Sequence, residues 1–140
     1  MEEYDQNKLI LYMGTLIIDS CLLWAMIFDT LESNEFLFCL TSLLFHVLFC
    51  YSIHNEHKTI LGILHVIMGS FILYSCLLNN IVILCACLFL MFTIQILWIM
   101  KGRCILNDFD GYFIHGHSKI NRVGGLLVTV LLSAKIGYLL

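Results

Sequence analysis

Charged residues are scarce in this 140-residue sequence, at 12% of the chain, and proline is absent. Soluble domains carry about 25% charged residues and about 45–50% apolar ones. Here hydrophobic residues make up 61% of the chain, and the mean hydropathy is +0.95. Because a small water-soluble globule could not bury so much apolar surface, the composition predicts an integral membrane protein whose solvent is the lipid bilayer.

Other absences narrow the possible functions. The net charge of −3 lacks the basic excess of a nucleic-acid-binding surface, so no nucleic-acid partner is expected. The acidic N-terminus lacks the basic start of a secretory signal, and the first apolar stretch is therefore expected to stay in the membrane. There is no nucleotide-binding loop, no Gly-x-Ser-x-Gly and no His-Glu-x-x-His motif. No catalytic residue is predicted, and enzyme activity is not expected.

Apolar stretches long enough to cross a bilayer recur along the chain. A helix needs about 20 apolar residues to span a hydrocarbon core of about 30 Å. The chain must turn within residues 60–100, because one helix there would be about 60 Å long. Asn79-Asn80 is the predicted turn of a tight antiparallel hairpin, since asparagine tolerates left-handed geometry. We predict a single domain over residues 1–140, an all-α bundle of about five transmembrane helices at about 9–31, 36–53, 60–78, 81–100 and 123–140, with an inner polar loop at 101–122.

Lysine and arginine predict the orientation, because the cytoplasmic loops of membrane proteins are enriched in them. With the N-terminus inside, every basic residue except Lys135 falls in an inner segment. This distribution predicts a cytoplasmic N-terminus and an outer C-terminus, provided that the last stretch spans the membrane. That stretch is short and contains Lys135, whose amine is expected to reach outward to the interface. Without it, the bundle has four transmembrane helices.

Each of the first four predicted helices carries one strongly polar side chain inside its apolar stretch. Such residues are costly in lipid and usually face protein or water. Counted from the inner ends at 1.5 Å per residue, three of them lie about 8–10 Å deep and the fourth about 15 Å. Each shares a helix face with other small or polar residues, so we predict that they point into the bundle and toward one another. This intramembrane polar cluster consists of Asp19, His46, His65 and Gln95.

The intramembrane polar cluster is compatible with three roles. Its side chains can hydrogen-bond to one another and hold helices together. They can form a proton or ion pathway in a channel or transporter subunit, because Asp and His titrate and relay protons. His46 and His65 can also be read as the axial ligands of a haem. We favour the first role and predict no cofactor.

A run of small residues marks the last predicted helix. Gly125, Thr129, Ser133 and Gly137 repeat every four residues and so share one helix face. Small residues let helices approach closely within a membrane. We therefore predict that this stripe packs on another helix, in the same chain or in a neighbouring subunit.

Histidines also occur in the polar segments, with His54 and His57 in one and His115 and His117 in another. Imidazole is a common zinc ligand, but these short spacings are weak indications of a metal site. The expected state of these segments is a solvated loop without zinc.

Little soluble mass and no catalytic motif together favour a structural or assembly role in a larger membrane complex. The expected partners are the lipid bilayer and other membrane subunits or further copies of the chain itself. Alanine is scarce whereas Ile, Phe and Asn are plentiful, a bias that suggests an AT-rich genome. The internal membrane of a large virus is one setting that would suit such a protein.

Overall fold

The computed structural model describes residues 3–102 and 118–140, and these residues are almost entirely helical. Four of the helices, α1 to α4, are long and apolar enough to cross a membrane. The predicted all-α, multi-pass membrane bundle is therefore confirmed. The apolar part of the fifth, Val123–Leu139, is shorter than a typical span. The described helices are α1 (Glu3–Phe28), α2 (Ser33–His54), α3 (Lys58–Ser75), α4 (Ile81–Lys101) and α5 (Ser118–Leu139).

Several helix ends differ from those predicted. Helix α1 begins at Glu3 rather than near Leu9, and α5 begins at Ser118 within the stretch predicted as a loop. Hydropathy marks the part of a helix that lies in lipid, whereas the helix itself can continue through polar residues. Helix α3 ends at Ser75, because residues 76–78 tighten into turns in which each N–H bonds to a carbonyl three residues earlier.

The order of packing differs from the order along the chain. Helix α1 lies between α2 and α4, while α5 packs on α4 and α3 packs mainly on α2. The rings of Phe38 and Phe45 on α2 meet Phe71 on α3, with centroids 5.5 and 5.3 Å apart. The predicted tight α3–α4 hairpin is thus only partly correct. A short turn joins the two helices, but their contact is slight because α1 occupies the place beside α4.

Successive helices run in opposite directions, so the connections between them lie at two opposite ends of the bundle. We call the end with the α1–α2 and α3–α4 connections the turn end, and the opposite one the N-terminal end. Near the turn end, α1, α2 and α4 meet through buried side chains with almost no polar atoms. We call this set the apolar layer; it consists of Leu22, Ala25, Phe38, Cys39 and Leu84. Because lipid is as apolar as leucine, close van der Waals packing rather than burial from water holds such a layer together.

A buried carboxylate organises the turn end. Glu35, in the first turn of α2, is only 3% exposed. Its Oε2 accepts a hydrogen bond from the backbone N–H of Glu32 at 3.0 Å, which satisfies one free donor at the helix start. Its Oε1 accepts from the backbone N–H groups of Asn79 and Asn80 at 3.0 and 2.8 Å. One side chain therefore fastens the start of α2 to the α3–α4 turn.

The two asparagines extend these bonds to the remaining helices. The Asn80 side chain accepts from the N–H of Ile83 at 3.1 Å, capping α4, and donates to Asp29 Oδ2 at 2.6 Å. Lys135 on α5 donates from Nζ to Asn79 Oδ1 at 2.9 Å. We call Asp29, Glu35, Asn79, Asn80 and Lys135 the turn-end network. It connects α5 and the ends or connections of the other four helices.

One expectation about this end is corrected. Asn80 has φ −71°, and among the described non-glycine residues only Glu56 has a positive φ. The asparagines therefore act through side-chain hydrogen bonds rather than left-handed geometry. The Lys135 amine, which is expected to reach the outer interface, donates to Asn79 at the turn end, and this is the outer end in the predicted orientation. Burial raises the pKa of the nearby Cys76 thiol, an effect that the Lys135 charge opposes.

The turn-end network predicts a large effect of removing the Glu35 carboxylate. Glu35→Ala leaves three backbone N–H groups without their acceptor, which is expected to cost about 2–4 kcal/mol in the free energy of unfolding. Glu35→Gln keeps one carbonyl oxygen as an acceptor and should lose clearly less. Unfolding in mixed detergent micelles, followed by circular dichroism, measures both variants. Equal stability of Glu35→Ala and the wild type would contradict the role given to this carboxylate.

Candidate functional site

Two members of the intramembrane polar cluster meet in the structure. His46 Nδ1 is in hydrogen-bond contact with Asp19 Oδ1. Both residues lie near the middle of their helices, α1 and α2, where the surroundings are apolar. His46 is buried, at 6% exposure, whereas the Asp19 side chain is 24% exposed at the edge of the helix pair. The contact therefore joins α1 to α2 inside the apolar part of the bundle.

Helical spacing brings the neighbours of this pair into line. Thr15, one turn before Asp19, is buried and donates from Oγ1 to the carbonyl of Leu11 at 2.8 Å. Cys50, one turn after His46, lies beside Thr15 and Asp19. Residues four apart share a helix face, so a polar stripe on α1 meets a polar stripe on α2.

The Asp19–His46 contact can exist without net charge. A carboxylate paired with an imidazolium has no net charge, and neither has a carboxylic acid paired with a neutral imidazole. In both pairs the two side chains share one proton. Gaining or losing a proton would place a net charge in the middle of the helices, which costs about 2.5–3.5 kcal/mol on insertion scales. The arrangement is therefore suited to a lasting contact between helices.

Gln95 faces a different neighbour. Its side chain is buried on α4, where its Nε2 has no hydrogen-bond partner among the described residues. A Cβ placed on Gly125 of α5 would lie 2.4 Å from that nitrogen and 3.4 Å from Met91 Cε. Gln95 thus packs against α5 rather than joining Asp19 and His46. His65 is half-buried on α3.

The small-residue stripe on α5 divides into two halves. Gly125 and Thr129 face α4, together with buried Val128 and Leu132. Ser133 and Gly137 are exposed. A four-residue repeat drifts about 40° per step around an α-helix, so the later members rotate away from α4.

A cavity of about 40 Å³ lies beside His46. That volume holds no more than a few water molecules. Ser42 and His46 contribute its polar lining, and the rest is apolar, including Leu22, Phe38 and Phe71. A water in it would find few hydrogen-bond partners.

The fold adds little support for the histidines considered as zinc or haem ligands. His54 and His57 are exposed, and the described residues contain no group of three potential metal ligands. His115 and His117 lie outside the described residues. A haem held by His46 and His65 stays a less favoured alternative, and one nitrogen of His46 is already in contact with Asp19.

Sequence reasoning missed Glu35, which was assigned to a polar loop. The available signal was an acidic residue three positions after Glu32 at the start of an apolar run, which is the spacing of a capping box. Its further bonds to Asn79 and Asn80 depend on tertiary packing and have no local signal.

A double-mutant cycle tests the Asp19–His46 contact. Asp19→Leu and His46→Leu each leave one polar partner without the other, and each should lose about 2–3 kcal/mol in the free energy of unfolding. The double variant removes both groups and should be more stable than the sum of the single losses predicts, by about 1–3 kcal/mol. Unfolding of all four proteins in mixed micelles gives the coupling energy. Strict additivity would show that the two side chains do not stabilise one another.

Adjacent glycines on α5 provide a matched pair of variants. Gly125→Leu would force a side chain into Gln95 and Met91 and should cost about 1–3 kcal/mol. A Cβ placed on Gly124 would meet nothing within 4 Å, so Gly124→Leu should be neutral or gain up to about 1 kcal/mol in helix propensity. Unfolding in micelles measures both. If the two variants lose the same stability, the close α4–α5 approach at Gly125 is wrong.

Comparison of this chain with protein-family models, with curated proteins and with solved structures found no match. Its function is therefore inferred from the polar contacts and the apolar layer.

Proposed function

We propose that this multi-pass membrane protein has a structural role in the assembly of a larger membrane complex. The apolar layer is the observation that carries the proposal. Leu22, Ala25, Phe38, Cys39 and Leu84 are all buried, and they separate the Asp19–His46 contact from the turn-end network. Protons and ions cross membranes along water and polar side chains, which this layer does not offer.

The polar side chains support the same proposal by what they bind. Asp19 and His46 bind each other across α1 and α2. The turn-end network binds backbone groups and side chains from α5 and from the ends or connections of the other four helices. Polar groups used in this way hold helices in one arrangement. A rigid bundle with apolar outer faces is suited to contacts with lipid and with other membrane subunits.

The orientation predicted from the basic residues belongs to this proposal. The N-terminal end of the bundle carries Lys8, Lys58 and Lys101, whereas the turn end carries Asp29 and Glu35. Under the positive-inside rule the N-terminal end is cytoplasmic, and the C-terminus is outside if α5 spans. A virion membrane stays a prediction from amino-acid usage alone.

A proton or ion conductor is the second candidate. The cavity beside His46 favours it, because a titratable side chain next to a space for water can exchange protons. The cavity is small and walled mainly by apolar side chains that include members of the apolar layer. The structural role therefore has the stronger support.

Two experiments on the tagged protein test both candidates. Tagged protein extracted from its native membrane in a mild detergent is expected to migrate in a complex larger than the chain itself. The purified chain in liposomes is expected to leave a pH gradient intact, as empty liposomes do, because the apolar layer blocks passage. A pH-sensitive dye inside the liposomes measures the gradient.

A protonophore added at the end of each run shows that the dye responds. A stable monomer without partners in the native extract would contradict the assembly role. A proton flux that is lost in His46→Ala would contradict it too and would favour the conductor.

A further inference from the structure

Asp19 has fewer hydrogen-bond donors than its position requires. Among the described residues, His46 is the hydrogen-bond partner of Asp19, through Oδ1. The side chain is 24% exposed, in the middle of the apolar part of α1. Lipid tails cannot donate a hydrogen bond, so the exposed part of this side chain would be stabilised by a donor from outside the chain.

A suitable donor lies next to Asp19 in the sequence. Ser20 is exposed on α1, and its hydroxyl donates to the carbonyl of Leu16 at 2.8 Å. Consecutive residues are about 100° apart around a helix and differ by about 1.5 Å in depth. Viewed down the helix axis, the angular positions of Leu16 and Leu23 fall about midway between those of Asp19 and Ser20. The two leucines are exposed at 60% and 46%.

We propose that a second copy of this chain packs on the Leu16–Leu23 line of α1, so that Ser20 of each copy donates to Asp19 of the other. The two α1 helices would run parallel about a two-fold axis along the membrane normal. Across such an axis, a residue on one side of the contact line faces the residue of the other copy that lies at the same angle on the opposite side of the line. Copies with the same membrane orientation also place Asp19 and Ser20 at the same depth.

A second copy fits this face better than an unrelated helix, because each copy supplies both a donor for the partner's Asp19 and an acceptor for the partner's Ser20. Each copy has a carboxylate in need of a donor and a hydroxyl at matching depth on the other side of the line. The serine exchanges a bond to the Leu16 carbonyl for a bond to the Asp19 carboxyl group, which can accept more hydrogen bonds than the one contact with His46. This inference rests on the proposed assembly role and specifies its first step as self-association.

Sedimentation equilibrium in density-matched detergent, over a range of protein-to-detergent ratios, tests the pairing. The wild type is expected to form a reversible dimer. Ser20→Ala removes two symmetric interhelical hydrogen bonds and should weaken dimerisation roughly tenfold. Ser20→Thr keeps the hydroxyl and should dimerise like the wild type.

Ser70→Ala is the matched control, because exposed Ser70 on α3 makes the same kind of bond, to the carbonyl of Val66 at 3.1 Å. It should leave dimerisation unchanged. A wild type that is monomeric at every ratio, or equal effects of Ser20→Ala and Ser70→Ala, would overturn the inference. If the monomeric wild type still migrates in a larger native complex, self-association is wrong and the assembly role stands. Proton flux in liposomes would contradict the assembly role itself.

Discussion

Lipid offers no hydrogen bonds, so every carboxyl group inside this bundle needs donors from protein. Glu35 meets most of this requirement, with three backbone N–H groups from two separate parts of the chain. Asp19 meets it in part, through His46. These two contacts set much of the remaining structure. The first fixes the start of α2 against the α3–α4 turn, and the second fixes the rotation of α1 against α2, because each polar side chain must point at its partner.

The two contacts lie on opposite sides of the apolar layer, and this separation bears on function. Polar groups in a conducting pathway have to remain open to water, whereas these groups are occupied by protein partners. The turn-end network uses its charged side chains in the same way, since Asp29 and Lys135 each bind an asparagine of the α3–α4 turn. Helix association in lipid depends on packing and hydrogen bonds rather than on burial from water. Such contacts therefore specify one arrangement of helices, which is what a building block of a larger complex requires.

Hydropathy was sufficient to predict the four long apolar helices, because a span needs a length of apolar residues that few other structures contain. It was not sufficient for the start of α1 at Glu3 or of α5 at Ser118, since polar residues continue a helix beyond the lipid. The cost of polar residues in lipid singled out Asp19, His46, His65 and Gln95. Which of them meet depends on the rotation of each helix and on α1 lying between α2 and α4, and neither follows from the order of the sequence. Glu35 was missed because its burial arises only when a distant turn folds over it.

The difference between the two acidic residues connects the proposed assembly with the constraint that governs folding. A carboxylate can accept about four hydrogen bonds, and the number it needs from protein grows as water is excluded. Glu35 is enclosed by the fold, so donors from its own chain can surround it. Asp19 stands at the edge of the α1–α2 pair, where His46 contacts Oδ1 and 24% of the side chain stays exposed. The missing donor is therefore expected from a neighbour in the membrane, and the hydroxyl of Ser20 on a second copy has the depth and the direction to supply it.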